Sequence, residues 1–112
     1  MNRKQKLARL QKLAAMLRDH HMAHLKKIAA QREATQHALD QLSKPSPPCA
    51  DASLFRANQS HLLWANEQKL HLNRALATES AKFIEQRQTT ARYHGRAEAL
   101  AQVLARLGND KC

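Results

Sequence analysis

Three histidines, His20, His21 and His24, are the residues of this 112-residue chain whose type and spacing best fit metal chemistry. His20 and His24 are one helical turn apart, so their rings would share a helix face, as paired zinc ligands often do. No third ligand follows at a recognisable spacing, and no cysteine lies nearby. We therefore interpret these residues as polar or half-buried histidines and expect no bound metal.

The two cysteines, Cys49 and Cys112, match neither a metal-binding pair nor a disulfide framework, and we interpret them as incidental thiols. The sequence also contains no glycine-rich phosphate loop and no nucleophile elbow. A slender helical protein would offer no water-excluding pocket in which to tune an acid or a histidine. We therefore expect no catalytic residue, no cofactor and no enzymatic activity.

Strong helix formers dominate the chain, which contains only two glycines, and all three prolines fall between Pro45 and Pro48. Proline disfavours helix both at its own position and at the residue before it. We predict a first helix over 2–43, a corner over 44–51, and a second helix over 52–107 that ends at Gly108-Asn109. A link of this length can reverse the chain. The expected fold is all-α: a single antiparallel coiled-coil hairpin with the second helix longer.

The first predicted helix contains a narrow stripe of mainly apolar residues with steps of three and four, typical of a coiled-coil seam. The stripe consists of Leu7, Leu10, Ala14, Leu17, His21, Leu25, Ile28, Thr35, Leu39 and Leu42. No strong N-cap precedes Leu7, so we expect the first turn to fray.

The second predicted helix follows a heptad pattern with both apolar and polar seam positions. The apolar ones are Phe55, Leu62, Ala65, Leu72, Leu76, Phe83, Tyr93, Ala97, Leu100, Leu104 and Leu107. The polar ones are Asn58, Lys69, Glu79, Gln86 and Thr90, which weaken packing but define register. Thr89-Thr90 and Gly95 are poorer helix formers, and we predict a local softness there.

Counting residues outward from the corner predicts which part of the second helix remains uncovered. If the chain reverses at the corner, Leu42 lies beside Leu54, and Leu7 reaches only Thr89. The apolar stripe beyond that point would then have no cover from the first helix and would bind another chain. These partner-binding candidates are Tyr93, Ala97, Leu100, Leu104 and Leu107. Trp64, at the edge of the stripe, is either a packing residue or a further interface anchor.

Positive charge is concentrated in the first helix. The formal net charge is +10 with histidines neutral, and residues 1–32 contain nine Lys and Arg against one acid, Asp19. Arg9 and Lys12 are among the basic residues that lie away from the seam. This face is either solvated or a docking surface for an acidic partner. Nucleic acid is allowed but less favoured, because neither a base-reading basic region nor an aromatic stacking platform accompanies the charge.

The outline resembles the flagellar and type III secretion export stalk family (FliJ-like). The similarity lies in the basic leader Arg3-Lys4-Gln5-Lys6, the stripe Leu10-x-x-Leu13-x-x-x-Leu17-Arg18, the proline-rich corner and the longer Gln/Arg-rich second helix. The resemblance implies a stalk that enters a hexameric export ATPase ring, contacts the export gate and handles export chaperones. It also implies that the two chain ends meet the ring, with Arg9, Lys12 and Tyr93–Leu107 as contacts.

The sequence leaves three classes of function open: an interaction or stalk protein, a nucleic-acid-associated helical hairpin, and a self-assembling coiled coil. No apolar run approaches the roughly 20 residues that span a bilayer. The basic N-terminus is not followed by the apolar core of a signal peptide. We therefore expect a cytoplasmic protein, placed by the resemblance at the inner face of the membrane.

Overall fold

The computed structural model describes residues 2–44 and 52–109, and there the fold is an antiparallel helical hairpin. Helix α1 spans Arg3–Leu42 and the longer helix α2 spans Ala52–Asn109. The predicted all-α hairpin with a longer second helix is confirmed. Most of the predicted corner, together with Cys49 and Cys112, lies outside the described residues.

Helix α1 begins with a reciprocal capping box. The Asn2 side chain accepts a hydrogen bond from the Gln5 backbone N–H at 2.8 Å, and the Gln5 side chain accepts one from the Asn2 N–H at 3.2 Å. Each side chain thus satisfies a donor that would otherwise have no partner in the first turn. The expectation that no strong cap precedes Leu7 is therefore wrong, because Asn2 and Gln5 have the cap spacing.

The chain divides into two compact units, each of which takes one segment from either helix. Unit 1 consists of Met1–Ile28 and Lys82–Cys112, and unit 2 consists of Ala29–Ala81. The sequence predicts a single hairpin domain, and the structure partitions the contacts of that hairpin between these two units.

In unit 2, one cross-helix hydrogen bond defines how the helices are aligned. The Thr35 hydroxyl donates to Glu79 Oε1 at 3.0 Å and also to the Gln31 carbonyl, 3.1 Å away. Leu39 is buried on the following turn. Leu42, one heptad after Thr35, comes level with Leu72, one heptad before Glu79. Helix α1 therefore ends level with Leu72, about five and a half turns after α2 begins at Ala52.

In unit 1, α2 remains helical through Thr89, Thr90 and Gly95, where the sequence predicts softness. Thr90 is buried, and its hydroxyl donates to the His21 carbonyl at 3.2 Å, so the β-branched residue is stabilised by a cross-helix contact. Ile28 and Ala97 are also buried in this unit. Gly95 is exposed, and a Cβ added there would have no heavy atom within 4 Å.

The predicted register between the helices is wrong. In unit 1, the His21 ring stacks on Tyr93, so Leu7, two heptads earlier, comes level with Leu107 rather than with Thr89. In unit 2, Leu42 comes level with Leu72 rather than with Leu54. The prediction failed because it assumed that α2 pairs with α1 from its first turn.

Two members of the predicted α1 stripe are also misassigned. Leu10 and Leu17 are exposed, whereas Gln11 and Arg18, the residues that follow them, are half-buried in the seam. Gln11 and Arg18 share the heptad positions of Leu25 and Leu39, which are half-buried and buried, and Leu10 and Leu17 lie outside those positions. The predicted α2 heptad agrees with the observed burial from Ala65 to Leu107.

Thr35→Ala should destabilise the protein by about 1–3 kcal/mol, because Glu79 then loses its hydrogen-bond donor. The other Glu79 oxygen, Oε2, is already buried without a hydrogen-bond partner among the described residues. Urea unfolding measures the effect. Thr78→Ala is the matched control, since the Thr78 hydroxyl donates to the backbone carbonyl of Arg74 on an exposed face of its own helix. Equal losses for the two variants would contradict the proposed importance of the cross-helix bond.

Gly95→Ala should stabilise the protein by roughly 0.5–1 kcal/mol, because Ala loses less backbone entropy in a helix and the added methyl group meets nothing. Thermal unfolding followed by circular dichroism measures the gain. A lower melting temperature for this variant would show that the site is not an unobstructed helix interior.

Candidate protein-docking groove

A layer of polar side chains crosses the seam of unit 1 around His21. Gln86 Nε2 lies 3.1 Å from His21 Nδ1, and the same amide donates to Thr90 Oγ1 at 3.3 Å. Thr90 in turn donates to the His21 carbonyl. These part-buried groups satisfy one another, so the layer aligns α1 with α2 in this unit.

Tyr93 extends this layer towards one side of the seam. Its ring stacks on His21 with centroids 4.2 Å apart and an interplanar angle of 18°. The Arg96 guanidinium carbon lies 5.3 Å from the centre of the Tyr93 ring, within cation–π range. A histidine, a tyrosine and an arginine are thus stacked in sequence, and Tyr93 and Arg96 lie at the edge of an open groove.

That groove is a mainly apolar concave surface of unit 1 near the N-terminal half of α1, and its volume is about 490 Å³. Leu10, Leu13 and Leu17 form its α1 wall and are each about half exposed. We call it the leucine groove; its lining residues are Leu10, Leu13, Ala14, Leu17, Tyr93, Arg96, Ala99 and Leu100. Leu10 and Leu17, which lie outside the seam heptad, therefore form a second apolar face of α1 together with Leu13.

All of the net charge belongs to unit 1. Its two segments contain 14 Lys and Arg against four Asp and Glu, which leaves +10. Unit 2 contains five of each and is neutral. The leucine groove is therefore an apolar surface on a strongly basic unit. Arg96 lines it directly, and Arg9 and Lys12 are exposed on the same helix as its leucines.

The structure places the predicted partner-binding residues in three different settings. Ala97 is buried, and four others are half-buried along the seam of unit 1: Tyr93, Leu100, Leu104 and Leu107. The argument that this stripe lacks a cover therefore fails, because α1 covers it. Of the five, Tyr93 and Leu100 also reach the leucine groove. Arg9 and Lys12 are exposed in unit 1, and Trp64 is exposed in unit 2.

The histidines do not form a metal-binding cluster within residues 2–44 and 52–109, where no group of three or more His, Cys, Asp or Glu could hold an ion. His20 packs edge-on against His21 with centroids 5.3 Å apart, and His24 lines a separate small groove with Glu85. His21 acts in the seam as a hydrogen-bonding and stacking residue.

The sequence did not reveal the leucine groove because Leu10 and Leu17 also fit the predicted seam stripe, whose members recur at steps of three and four residues. One signal could have revealed it. Leu13 lies off the predicted stripe, and with Leu10 and Leu17 it makes an apolar set of its own, one and two turns apart. A helix that packs against one other helix buries one apolar face, so a second apolar face remains exposed.

Comparison of the chain with protein-family models, with curated proteins and with solved structures finds no match. Over the residues that the structure describes, neither helix contains a stretch that is long and apolar enough to cross a membrane.

Ala97→Leu should destabilise the protein by about 1–3 kcal/mol, because Ala97 is only 2% exposed and a larger side chain would force the helices apart. Ala101→Leu, at an exposed position of the same helix, should change stability by no more than about 0.5 kcal/mol. Chemical unfolding of both variants measures the difference. In the register predicted from the corner, Ala97 would face no helix and the two variants would behave alike.

Proposed function

We propose that the protein is a non-enzymatic coiled-coil interaction protein that binds an acidic partner protein through the leucine groove. The observation that carries the proposal is the coincidence of an open apolar groove with the unit that holds the entire net charge of +10. Exposed apolar surface of this kind marks interaction sites in proteins. Positive charge around it steers and orients an acidic partner.

The form of the groove indicates the form of the partner. Leu10, Leu13 and Leu17 repeat at helical spacing along one wall, and α2 supplies the other wall. Such a surface accepts the apolar face of an amphipathic helix, which would then complete a three-helix contact. Acidic residues flanking that apolar face would lie near Arg9, Lys12 and Arg96.

The particular function that we propose is the stalk or chaperone-handling component of a flagellar or type III protein export ATPase complex, at the cytoplasmic face of the membrane. The antiparallel hairpin supports it, as does the basic leader from Arg3 to Lys6. The stripe Leu10-x-x-Leu13-x-x-x-Leu17, part of the resemblance to the export stalk family, forms one wall of the groove. The partners on this proposal are the hexameric export ATPase and the export gate.

Co-purification of the full chain with the export ATPase of the same organism tests the proposal. The double variant Leu13→Gln with Leu17→Gln removes apolar surface without changing the charge. It should weaken binding at least tenfold, because about 1.4 kcal/mol corresponds to a factor of ten and each leucine buries apolar area worth roughly that much. Leu70→Gln, at an equally exposed leucine of unit 2, is the control and should leave binding unchanged.

Two results would remove the proposal. One is the absence of binding to any export ATPase together with intact motility and secretion after deletion of the gene. The other is binding that survives the leucine-groove substitutions and is lost on Leu70→Gln, which would place the docking surface in unit 2.

A second candidate function, nucleic-acid binding, is favoured by one observation: the net charge of unit 1. Affinity for duplex DNA or RNA would then fall steeply with salt, by several decades for many phosphate contacts. Fluorescence anisotropy across a salt series measures the slope. The variant Leu13→Gln with Leu17→Gln separates the two functions, because it retains the +10 charge and should leave nucleic-acid binding unaffected.

A further inference from the structure

Positive charge is distributed unevenly between the two sides of the seam in unit 1. One side carries the leucine groove and consists of the heptad positions of Leu10 and Leu13 on α1 and of Arg96 and Ala99 on α2, which all line that groove. We call this side the basic face. Over the helical part of unit 1 it contains seven Lys and Arg, all exposed, against one acid, Glu85. The basic face therefore holds half of the 14 cations of the unit.

The opposite side of the seam is nearly neutral. It consists of the heptad positions of Met22 and Lys26 on α1 and of Arg87 and Ala91 on α2, which line a separate groove. Over the helical part of unit 1 these positions hold three Lys and Arg against two acids. The same two helices form both sides, so the positive charge of unit 1 is concentrated on the side that carries the leucine groove.

The cations of the basic face form two clusters, one beyond each end of the leucine groove. Because His21 lies level with Tyr93, the α2 residue 106 is level with residue 8 of α1, and residue 92 is level with residue 22. The outer cluster, on the side of the chain ends, consists of Arg3, Lys6 and Arg106. The inner cluster consists of Lys27, Lys82 and Arg92. The groove leucines, from residue 10 to residue 17, lie between the two clusters.

The part of the basic face between the clusters is mainly apolar. Leu10, Leu13 and Leu17 supply it from α1, and Ala99 and Val103 supply it from α2, all of them exposed. No acid occupies a basic-face position in this part of the described helices. From residue 3 to residue 27, helix α1 rises about 36 Å, at about 1.5 Å per residue. The face thus presents cations, then apolar side chains, then cations again along one line.

We propose that the acidic partner helix lies along the whole basic face, with its apolar residues in the leucine groove and acidic residues of its two ends on the two clusters. This inference rests on the proposed function and specifies the partner. To reach both clusters, the partner helix needs about 24 residues, and its sequence should run from acidic to apolar to acidic. Charge complementarity at both ends would fix its position along the groove, which apolar contacts alone do not.

The apolar part of the face distinguishes a helix from other anionic partners. A nucleic-acid backbone carries phosphates at short, even intervals, and those opposite the leucines would meet no cation. A bilayer surface is flat on this scale, whereas the leucines line a concave groove between two helices. An amphipathic helix is about 10 Å wide and presents an apolar ridge that can fill such a groove. The observed order of charged and apolar residues therefore favours a protein helix.

Fluorescence anisotropy with a labelled, designed helical peptide of about 24 residues tests the proposal. The peptide has leucines at helical spacing in its middle third and glutamates in both outer thirds, and it should bind the full wild-type chain. A second peptide of the same composition carries all its glutamates at one end. It should bind about three- to tenfold more weakly at low salt, because it can reach only one cluster.

Two double variants that remove the same charge test which side of unit 1 is used. Lys27→Gln with Arg92→Gln removes two cations of the inner cluster and should weaken binding of the first peptide about three- to tenfold. Lys26→Gln with Arg87→Gln, on the opposite side, is the matched control and should change binding less than about twofold. All four residues are exposed, and circular dichroism checks that both variants remain helical.

The proposal is overturned if the wild-type chain does not bind the first peptide, if the two peptides bind equally, or if the two double variants behave alike. Tighter binding of duplex DNA, or of vesicles containing anionic lipid, with the same sensitivity to the inner-cluster substitutions would also overturn it. The variant Leu13→Gln with Leu17→Gln separates this proposal from the proposed function. If it weakens peptide binding and the inner-cluster variant does not, the partner uses the leucine groove alone and the proposed function stands. If neither variant affects binding, both proposals fail.

Discussion

The alignment of the two helices depends on a few polar side chains that find their partners only in one register. Thr35 with Glu79 in unit 2, and His21 with Gln86 and Thr90 in unit 1, place hydrogen-bonding groups opposite one another. Buried apolar residues alone discriminate poorly between registers, because apolar residues recur at heptad spacing on both helices. A slip by one heptad would leave these polar groups without partners at a cost of about 1–3 kcal/mol each. The polar layers thus provide the specificity that the thin apolar core lacks.

Once the register is set, it determines which apolar residues remain outside. The seam heptad takes Gln11 and Arg18 and excludes their neighbours Leu10 and Leu17, and this exclusion creates the leucine groove. The same register ends α1 level with Leu72 of unit 2. The leucine groove belongs to the unit of charge +10, whereas unit 2 is neutral. One structural constraint therefore accounts for the leucine groove.

Local patterns predicted much of this fold, and long-range alignment did not follow from them. The α2 heptad was correct from Ala65 to Leu107 because its spacing is regular, and helix composition was sufficient for both helices. The α1 stripe failed at Leu10 and Leu17 because two overlapping apolar sets share that helix. The predicted register was wrong because counting residues outward from the corner assumes that α2 pairs with α1 from its first turn. Matching polar with polar residues, Thr35 with Glu79 and His21 with Gln86, would have been the better guide. The leucine groove depends on that register and could not be derived without it.

The division into units has a consequence for the order in which the protein folds and opens. Unit 2 is one contiguous segment, Ala29–Ala81, whereas unit 1 joins the two ends of the chain. Closing the shorter loop costs less entropy, so we expect unit 2 to form first and unit 1 last. That last step also brings 14 cations together. We therefore expect unit 1 to be the less stable unit at low ionic strength, where its positive charges repel one another most, and an acidic ligand that neutralises this charge to stabilise it.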